Sequence, residues 1–384
     1  MSIVQMPQAI EYPKSILSKA GMWPKTNYSP WYKLRSMFNI GNILMLTLCL
    51  TYNAWFQIGD FVMLSKSLYM LISILNTFMK LLTLSFKGKA FLKLLSLLDS
   101  ASFRSYENLY SPTINDFMKI VKKVEVSYRI QVNGTLIFMS LFPVWESKSL
   151  PMDFPYFNNG TFHYPFYFFE SVSLCISAYN NMAVDLLTTG LIAIAAIQLK
   201  VLNKKLMDTK RNVENFNDFA EENREELTMG YLKECCIHYS DIEEYVTCLE
   251  DVFSLIVFVQ LGASIVAICN SGMMILAVEP VSVEAVSLFF YITTMTAQLG
   301  MYCWFGNFVY IESLQVITAS YMSEWDEYNT ATKKMLFMLM ERSKRPLQIR
   351  GLHLVPLSFN TFISILKGSY SYFALLRNYT SKNN

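Results

Sequence analysis

The chain has 384 residues, of which 53% are hydrophobic, 15% aromatic and only 16% charged, with a formal net charge of +2. That balance fits a single membrane domain with no separate soluble domain left over, and the near-neutral charge gives no sign of a nucleic-acid partner. Catalysis finds no support: three scattered histidines (His163, His238, His353) come without metal-ligand spacing, a nucleophile elbow or a phosphate-binding glycine loop.

A bilayer core of roughly 30 Å needs about 20 largely apolar residues per helix. Seven stretches meet that test, approximately 36–56, 60–86, 127–145, 165–199, 252–278, 285–311 and 357–377. The predicted fold class is therefore an all-α membrane protein of seven transmembrane helices, forming one domain over 1–384. Residues 1–35 are polar and basic, so no signal peptide is expected and the first span serves for insertion. In the second span Lys66 and Lys80 lie near the ends and are expected to snorkel to the interface. Ser111-Pro112 supplies a cap and first-turn proline for a helix that runs unbroken to Gly134, entering the third span from a cytosolic extension at 112–126.

Further along, Asn159-Gly160-Thr161 makes Asn159 a glycosylation candidate. Asp185, in the fourth span, either bonds neighbouring helices or shapes a water-filled path. That span is expected to continue as cytosolic helix over 200–208, and the charge-dense 210–227 reads as a mobile loop. Leu232, Cys235, Tyr239, Ile242, Val246, Leu249 and Phe253 recur at three-to-four spacing in an extension over 229–251, a seam that must bury itself against another helix. The fifth and sixth spans are long and almost free of charge. Beyond them a cytosolic helical extension is expected over 313–345, closed by Arg342 to Arg345 and Pro346, on which Ile317, Tyr321, Trp325, Tyr328, Met335 and Leu339 form a second stripe. The two stripes can pack within the chain or between subunits. In the seventh span Ser364, Gly368, Ser371, Leu375 and Asn378 or Tyr379 fall at helical spacing. Such a small, polar row with one bulky apolar residue suits a gated water path, and equally a close helix contact.

Basic residues set the orientation, because Lys and Arg near a span resist crossing outward. Segments 1–35, 87–126, 200–248 and 313–351 hold 25 of them, while the alternating segments and the tail hold three, Lys148, Arg377 and Lys382. The amino terminus is therefore expected in the cytosol and the carboxyl terminus outside. The seven cysteines all fall in spans or inner segments, so no outer disulfide framework is expected.

The run Tyr302-Cys303-Trp304-Phe305-Gly306-Asn307, then Glu312, Tyr321 and Trp325, then Glu341-Arg342-Ser343-Lys344-Arg345-Pro346-Leu347 and PLSFNTFISILKGSYSYFALLR at 356–377 resemble the carboxyl-terminal signature of insect odorant receptors. MAVDLL at 182–187 is similar to that family's Asp-containing fourth span. The resemblance implies a tetrameric ligand-gated cation channel in the plasma membrane of olfactory neurons, in which an odour-tuned subunit assembles with a shared coreceptor. It implies no cofactor. It further implies a pore along the seventh span, a cytosolic anchor that turns the second stripe (Tyr321, Trp325, Tyr328, Met335, Leu339) into a subunit interface, and an odorant pocket in the outer half of the bundle. Leu375 and Tyr379 align with the family's hydrophobic gate and Asn378 with the adjacent polar position, although Tyr379 is larger than the aliphatic residue usual in the coreceptor. Four copies of Lys367 near a cation path would repel by several kcal/mol, so a homotetramer is disfavoured and a coreceptor lacking that lysine is expected.

On this topology the candidate pocket residues are Tyr69, Ile72, Phe138, Phe142, Trp145, Tyr179, Met182, Tyr291 and Met295, whose aromatic and Met surfaces suit a small volatile apolar odorant. Burying roughly 200–300 Å² of such a ligand yields about 5–7 kcal/mol before ordering costs, which points to micromolar affinity or weaker. The alternatives are a gustatory-receptor-type channel, a G-protein-coupled receptor, which the charge bias opposes, and a secondary transporter, which would show internal repeats.

Overall fold

In the computed structural model the described residues are 8–59, 61–104, 110–140, 163–216, 224–278 and 282–383. Phe142, Trp145 and Asn159 lie outside them. The helices in chain order are α1 (Gln8–Ala20), α2 (Pro30–Phe56), α3 (Phe61–Phe86), α4 (Gly88–Leu98), α5 (Ala101–Arg104), α6 (Ser111–Ser140), α7 (His163–Met207), α8 (Thr209–Phe216), α9 (Arg224–Ala277), α10 (Val283–Tyr321), α11 (Thr330–Ser343) and α12 (Phe359–Asn383). A short antiparallel hairpin, β1 (Arg350–Gly351) with β2 (Val355–Pro356), precedes α12. The fold is a bundle of seven membrane helices, α2, α3, α6, α7, α9, α10 and α12. Four of them, α2, α3, α7 and α9, are long and apolar enough to cross a membrane by composition alone.

Helix α7 is the axis of the bundle. From Met182 to Leu199 every residue is buried, as expected of a helix that is apolar all round. It packs on α10, α9, α6, α3 and α2, and across its lower half lies α1. That crossing needs Gly190, where a Cβ would stand 2.8 Å from the carbonyl oxygen of Ala9. Helix α1 ends at Gly21, whose φ of +77° is a left-handed helix stop, and a Cβ there would meet the Tyr32 and Ser36 backbone.

Several helices are far longer than the roughly 20 residues a bilayer needs: α7 has 45, α9 has 54 and α10 has 39. The seam on α9 is buried along its length, with Leu232, Cys235, Tyr239, Ile242, Val246, Leu249 and Phe253 all inside the core. Ion pairs tie the basic segments to it and to one another: Lys93 to Glu244 at 3.1 Å, Arg342 to Glu243, and Lys210 to Glu324 and Glu327 at 2.7 and 3.1 Å. These pairs join three of the four basic segments at one end of the bundle, and Trp23 of the first packs edge-on against Phe91 of the second with centroids 5.1 Å apart.

Two expectations for this end need correction. Segment 210–227 is not one loop, because α8 covers Thr209–Phe216 and α9 starts at Arg224. Its polar residues are used: Asn212 donates to the hydroxyls of Tyr110 at 3.0 Å and Tyr231 at 2.8 Å, and Val213 is buried. Nor is 313–345 one helix. Helix α10 stops at Tyr321, Glu324 takes a left-handed φ of 54°, and a single turn at Trp325–Glu327 leads into α11, capped by the Asn329 side chain on Thr332 N.

Candidate functional site

Helices α3, α6, α7 and α10 line a small cavity of about 80 Å³. Helix α3 supplies Met70, Ser73, Ile74 and Thr77; α6 supplies Tyr128, Val132, Thr135, Leu136 and Met139; α7 supplies Leu174, Ser177, Ala178 and Asn181; α10 supplies Tyr291, Thr294 and Met295. Within each helix these residues recur every three or four positions, as one face must. The surface is mainly apolar, with Met and aromatic groups that adapt to small shapes and no charged side chain among the described residues of its wall.

Most hydroxyls here spend their protons on the backbone. Thr77 donates to Ser73 O at 3.0 Å, Thr135 to Gln131 O at 3.0 Å and Thr294 to Phe290 O at 2.8 Å. Tyr291 donates to Tyr69 O at 3.2 Å and pairs closely with Ser73 Oγ.

Below the cavity lies a buried polar network. Lys80 Nζ stands 2.5 Å from Asp185 Oδ1, with both side chains fully buried, and also donates to Asn181 Oδ1 at 2.7 Å. Asp185 further accepts from Tyr302 at 2.8 Å, from Tyr128 at 3.3 Å and from Gln298 Nε2. Gln298 reaches Gln260 Oε1 at 3.1 Å, which also takes the Asn76 amide at 2.8 Å. Five helices are joined in this way. The expectation that Lys80 snorkels is therefore overturned: it points into the bundle because Asp185 on the facing helix offers a counter-charge that lipid cannot. Asp185 is a junction between helices. The side chain of Lys66 is outside the described set.

Of the sequence-predicted pocket residues, Tyr291 and Met295 line the cavity. Tyr69 packs edge-on against Tyr291 with centroids 5.0 Å apart and contributes its carbonyl, one position off the lining face. Ile72 is half-buried beside the lining pair Ser73 and Ile74. Phe138 stacks on Phe290 at 4.6 Å. Tyr179 is partly exposed, its hydroxyl 2.6 Å from Asn133 Oδ1. Met182 is buried against Tyr128, Val132, Leu186 and Met301. The α6 stripe Tyr128, Val132, Thr135 and Met139 went unread, although its three-to-four spacing was visible in the sequence.

Helix α12 is held at its start. A Cβ on Gly306 would overlap Leu357 Cβ and lie 3.0 Å from the Leu357 carbonyl, so α10 and the segment before α12 touch backbone to backbone. Leu352 N donates to Ser254 O at 3.1 Å and Leu357 N to Ile349 O at 2.9 Å. Ile365 and Ser369 are buried, and the Cys269 thiol meets Ser369 O at 3.7 Å. Ser364, Lys367, Gly368 and Ser371 are exposed in the single chain. Ser364 and Gly368 border a cleft of about 770 Å³ between α9, α10 and α12. Leu375, Asn378 and Tyr379 continue α12, and their side chains are outside the described set.

At the inner end Leu339 is buried within the chain, while Trp325, Tyr328 and Met335 are partly buried against the same core. Tyr321 is 64% exposed, with Met322, Phe337 and Met338 exposed nearby. The stripe is thus divided: its α11 part packs inward at Leu339, and an apolar patch around Tyr321 remains uncovered. Burial pushes the Cys235 thiol up to about 12 and, with a smaller push from Lys205, the His238 imidazole down to about 3. His238 Nε2 lies 2.8 Å from Gln198 Oε1.

The fold and the site define a seven-helix membrane protein with a mainly apolar cavity over a buried polar network. The family described as 7tm Odorant receptor matches residues 60–370, and the chain belongs to that family, which is one of receptors and not of enzymes. Odorant receptor 46a, isoform B, of Drosophila melanogaster is 21% identical over 367 residues, 94% of each chain. Odorant receptor 10 of Aedes albopictus is 26% identical over 181 residues, so in that match the chain spans 46% of the relative's length. The insect olfactory receptor OR5 from Machilis hrabei, solved in complex with eugenol, shares the fold with a TM-score of 0.83, covering 98% of this chain and 99% of that one at 15% identity.

Proposed function

We propose that this chain is the odorant-binding subunit of a ligand-gated, non-selective cation channel of the plasma membrane, assembling with a coreceptor into a tetramer whose pore is lined by α12. The observation that carries this reading is the mainly apolar cavity between α3, α6, α7 and α10. It suits a small volatile ligand, in keeping with the eugenol bound by the Machilis hrabei receptor of the same fold. The amino terminus is cytosolic in this proposal, since the basic segments meet at one end of the bundle and resist export.

Three further features support it. The exposed row Ser364, Lys367, Gly368 and Ser371 is not consumed by packing within the chain, which favours its use on a shared pore axis. The apolar patch at Tyr321, Met322 and Met338 is suited to a neighbouring subunit. Helix α10 borders both the cavity, through Tyr291 and Met295, and the start of α12, through Gly306, so a ligand that favours one arrangement of α10 biases the pore.

Whole-cell current under a panel of volatiles, with G-protein signalling blocked, tests the proposal. Cation current is expected when the chain is expressed with an odorant coreceptor and not when it is expressed alone. Current that disappears on blocking G proteins would overturn the channel reading.

A further inference from the structure

Two polar groups of the cavity wall have no partner among the described residues. Asn181 Oδ1 accepts from Lys80 Nζ at 2.7 Å. An ammonium only donates, so it meets the amide oxygen and leaves Nδ2 as a donor at the cavity wall. Ser177, one helical turn earlier on α7, is 4% exposed and lines the same cavity with its hydroxyl unused. Residues four apart on a helix place their Cβ atoms roughly 5–6 Å from each other, a gap that one oxygen atom can bridge by hydrogen bonds to both sides. The remaining hydroxyls differ, since Thr77 donates to a carbonyl and the Thr135 and Thr294 hydroxyls are paired with each other at 2.8 Å and with backbone carbonyls.

We infer that Ser177 and Asn181 form a recognition pair for one ligand oxygen, so that the ligand class is a small apolar molecule bearing a hydroxyl, ether or carbonyl oxygen. This rests on the odorant-binding reading above. The ligand oxygen accepts from Asn181 Nδ2 and from the Ser177 hydroxyl. An alcohol, ether or ketone of the same shape can use both bonds, and a hydrocarbon neither. Lys80 acts here as a positioning residue, because it fixes which end of the amide the ligand meets.

The test compares 4-propylphenol, 4-propylanisole and propylbenzene, measuring both direct binding to the purified complex with the coreceptor and evoked current. One hydrogen bond that discriminates between ligands corresponds to about a tenfold change in affinity. The phenol and the ether are each expected to bind at least about tenfold more tightly than the hydrocarbon. Ser177→Ala should weaken both oxygenated ligands about tenfold and leave the hydrocarbon unchanged, and Asn181→Leu should do the same. Equal affinities for the three probes in the unmodified protein, no measurable phenol binding, or an unchanged ratio of oxygenated ligand to hydrocarbon in both variants would each overturn the pair. Ranked binding without current would support the pair and overturn the channel reading, whereas current without ranking would do the reverse.

Discussion

The buried pair Lys80–Asp185 sets a measurable scale. At 2.5 Å, with an effective dielectric constant of about 20, its attraction is about 6–7 kcal/mol, against which both charges have given up water entirely. Removing one partner is therefore expected to cost about 3–5 kcal/mol, chiefly the penalty of a stranded charge. The two sides are unequal. Lys80→Met leaves the carboxylate with three neutral donors, from Tyr128, Tyr302 and Gln298, whereas Asp185→Asn leaves an ammonium with only neutral oxygens. Asp185→Asn should be the more damaging, and the double variant should lose less than the two single losses added, by about 2 kcal/mol or more. The assay is the melting midpoint of detergent-purified protein, where losses of this size correspond to shifts on the order of 5–15 °C. Strictly additive losses, or single variants that melt with the unmodified chain, would refute the assignment of this pair as the bundle's central junction.

Other consequences can be checked separately. Gly306→Ala should push the start of α12 off α10, costing about 1–3 kcal/mol and reducing evoked current at unchanged surface delivery; full current would show that this contact is not needed. Gly190→Ala should lift α1 from α7 and speed tryptic cleavage at Lys14 and Lys19 in permeabilised cells. Lys367→Gln should relieve repulsion around the fourfold axis and permit current without the coreceptor, if the exposed face of α12 meets that axis. His238 binds its proton near pH 6.5 when unfolded and only near 3 when folded, so stability present above pH 6.5 is lost as pH falls through that window. The fall in melting midpoint between pH 7.5 and 5.5 should accordingly be smaller in His238→Gln than in the unmodified chain.

The seven-helix fold was legible because a bilayer imposes length and hydropathy on each span, and the α9 seam because its heptad-like spacing has one physical outcome. The polar junction was not. Lys80 near a span end reads as a snorkelling residue until α3 is seen to face α7, and only that pairing of helices brings Asp185 within 2.5 Å. The cavity was half legible for a related reason. Tyr291 and Met295 have the right register, but on α3 the reading fell on Tyr69 and Ile72, while the lining face carries Met70, Ser73, Ile74 and Thr77. A shift of one residue turns a helix by about 100°, and the signal for the inward face of α3 is polar, Ser73, Asn76, Thr77 and Lys80 at three-to-four spacing, which a search for apolar and aromatic residues passes over. Segment 210–227 misled through composition, since its asparagine and lysine side chains find partners that only the folded chain provides.

The central claim is that the cavity between α3, α6, α7 and α10 controls the current, and Ala178→Phe tests it most directly. The added ring would occupy the chamber of about 80 Å³ from the α7 wall, whose described lining comes from α3, α6, α7 and α10. The measurement is the odorant dose–response of the variant expressed with the coreceptor, at matched surface delivery. Loss of evoked current with basal current retained is the predicted result. A dose–response identical to that of the unmodified chain would place the odorant elsewhere and contradict the account.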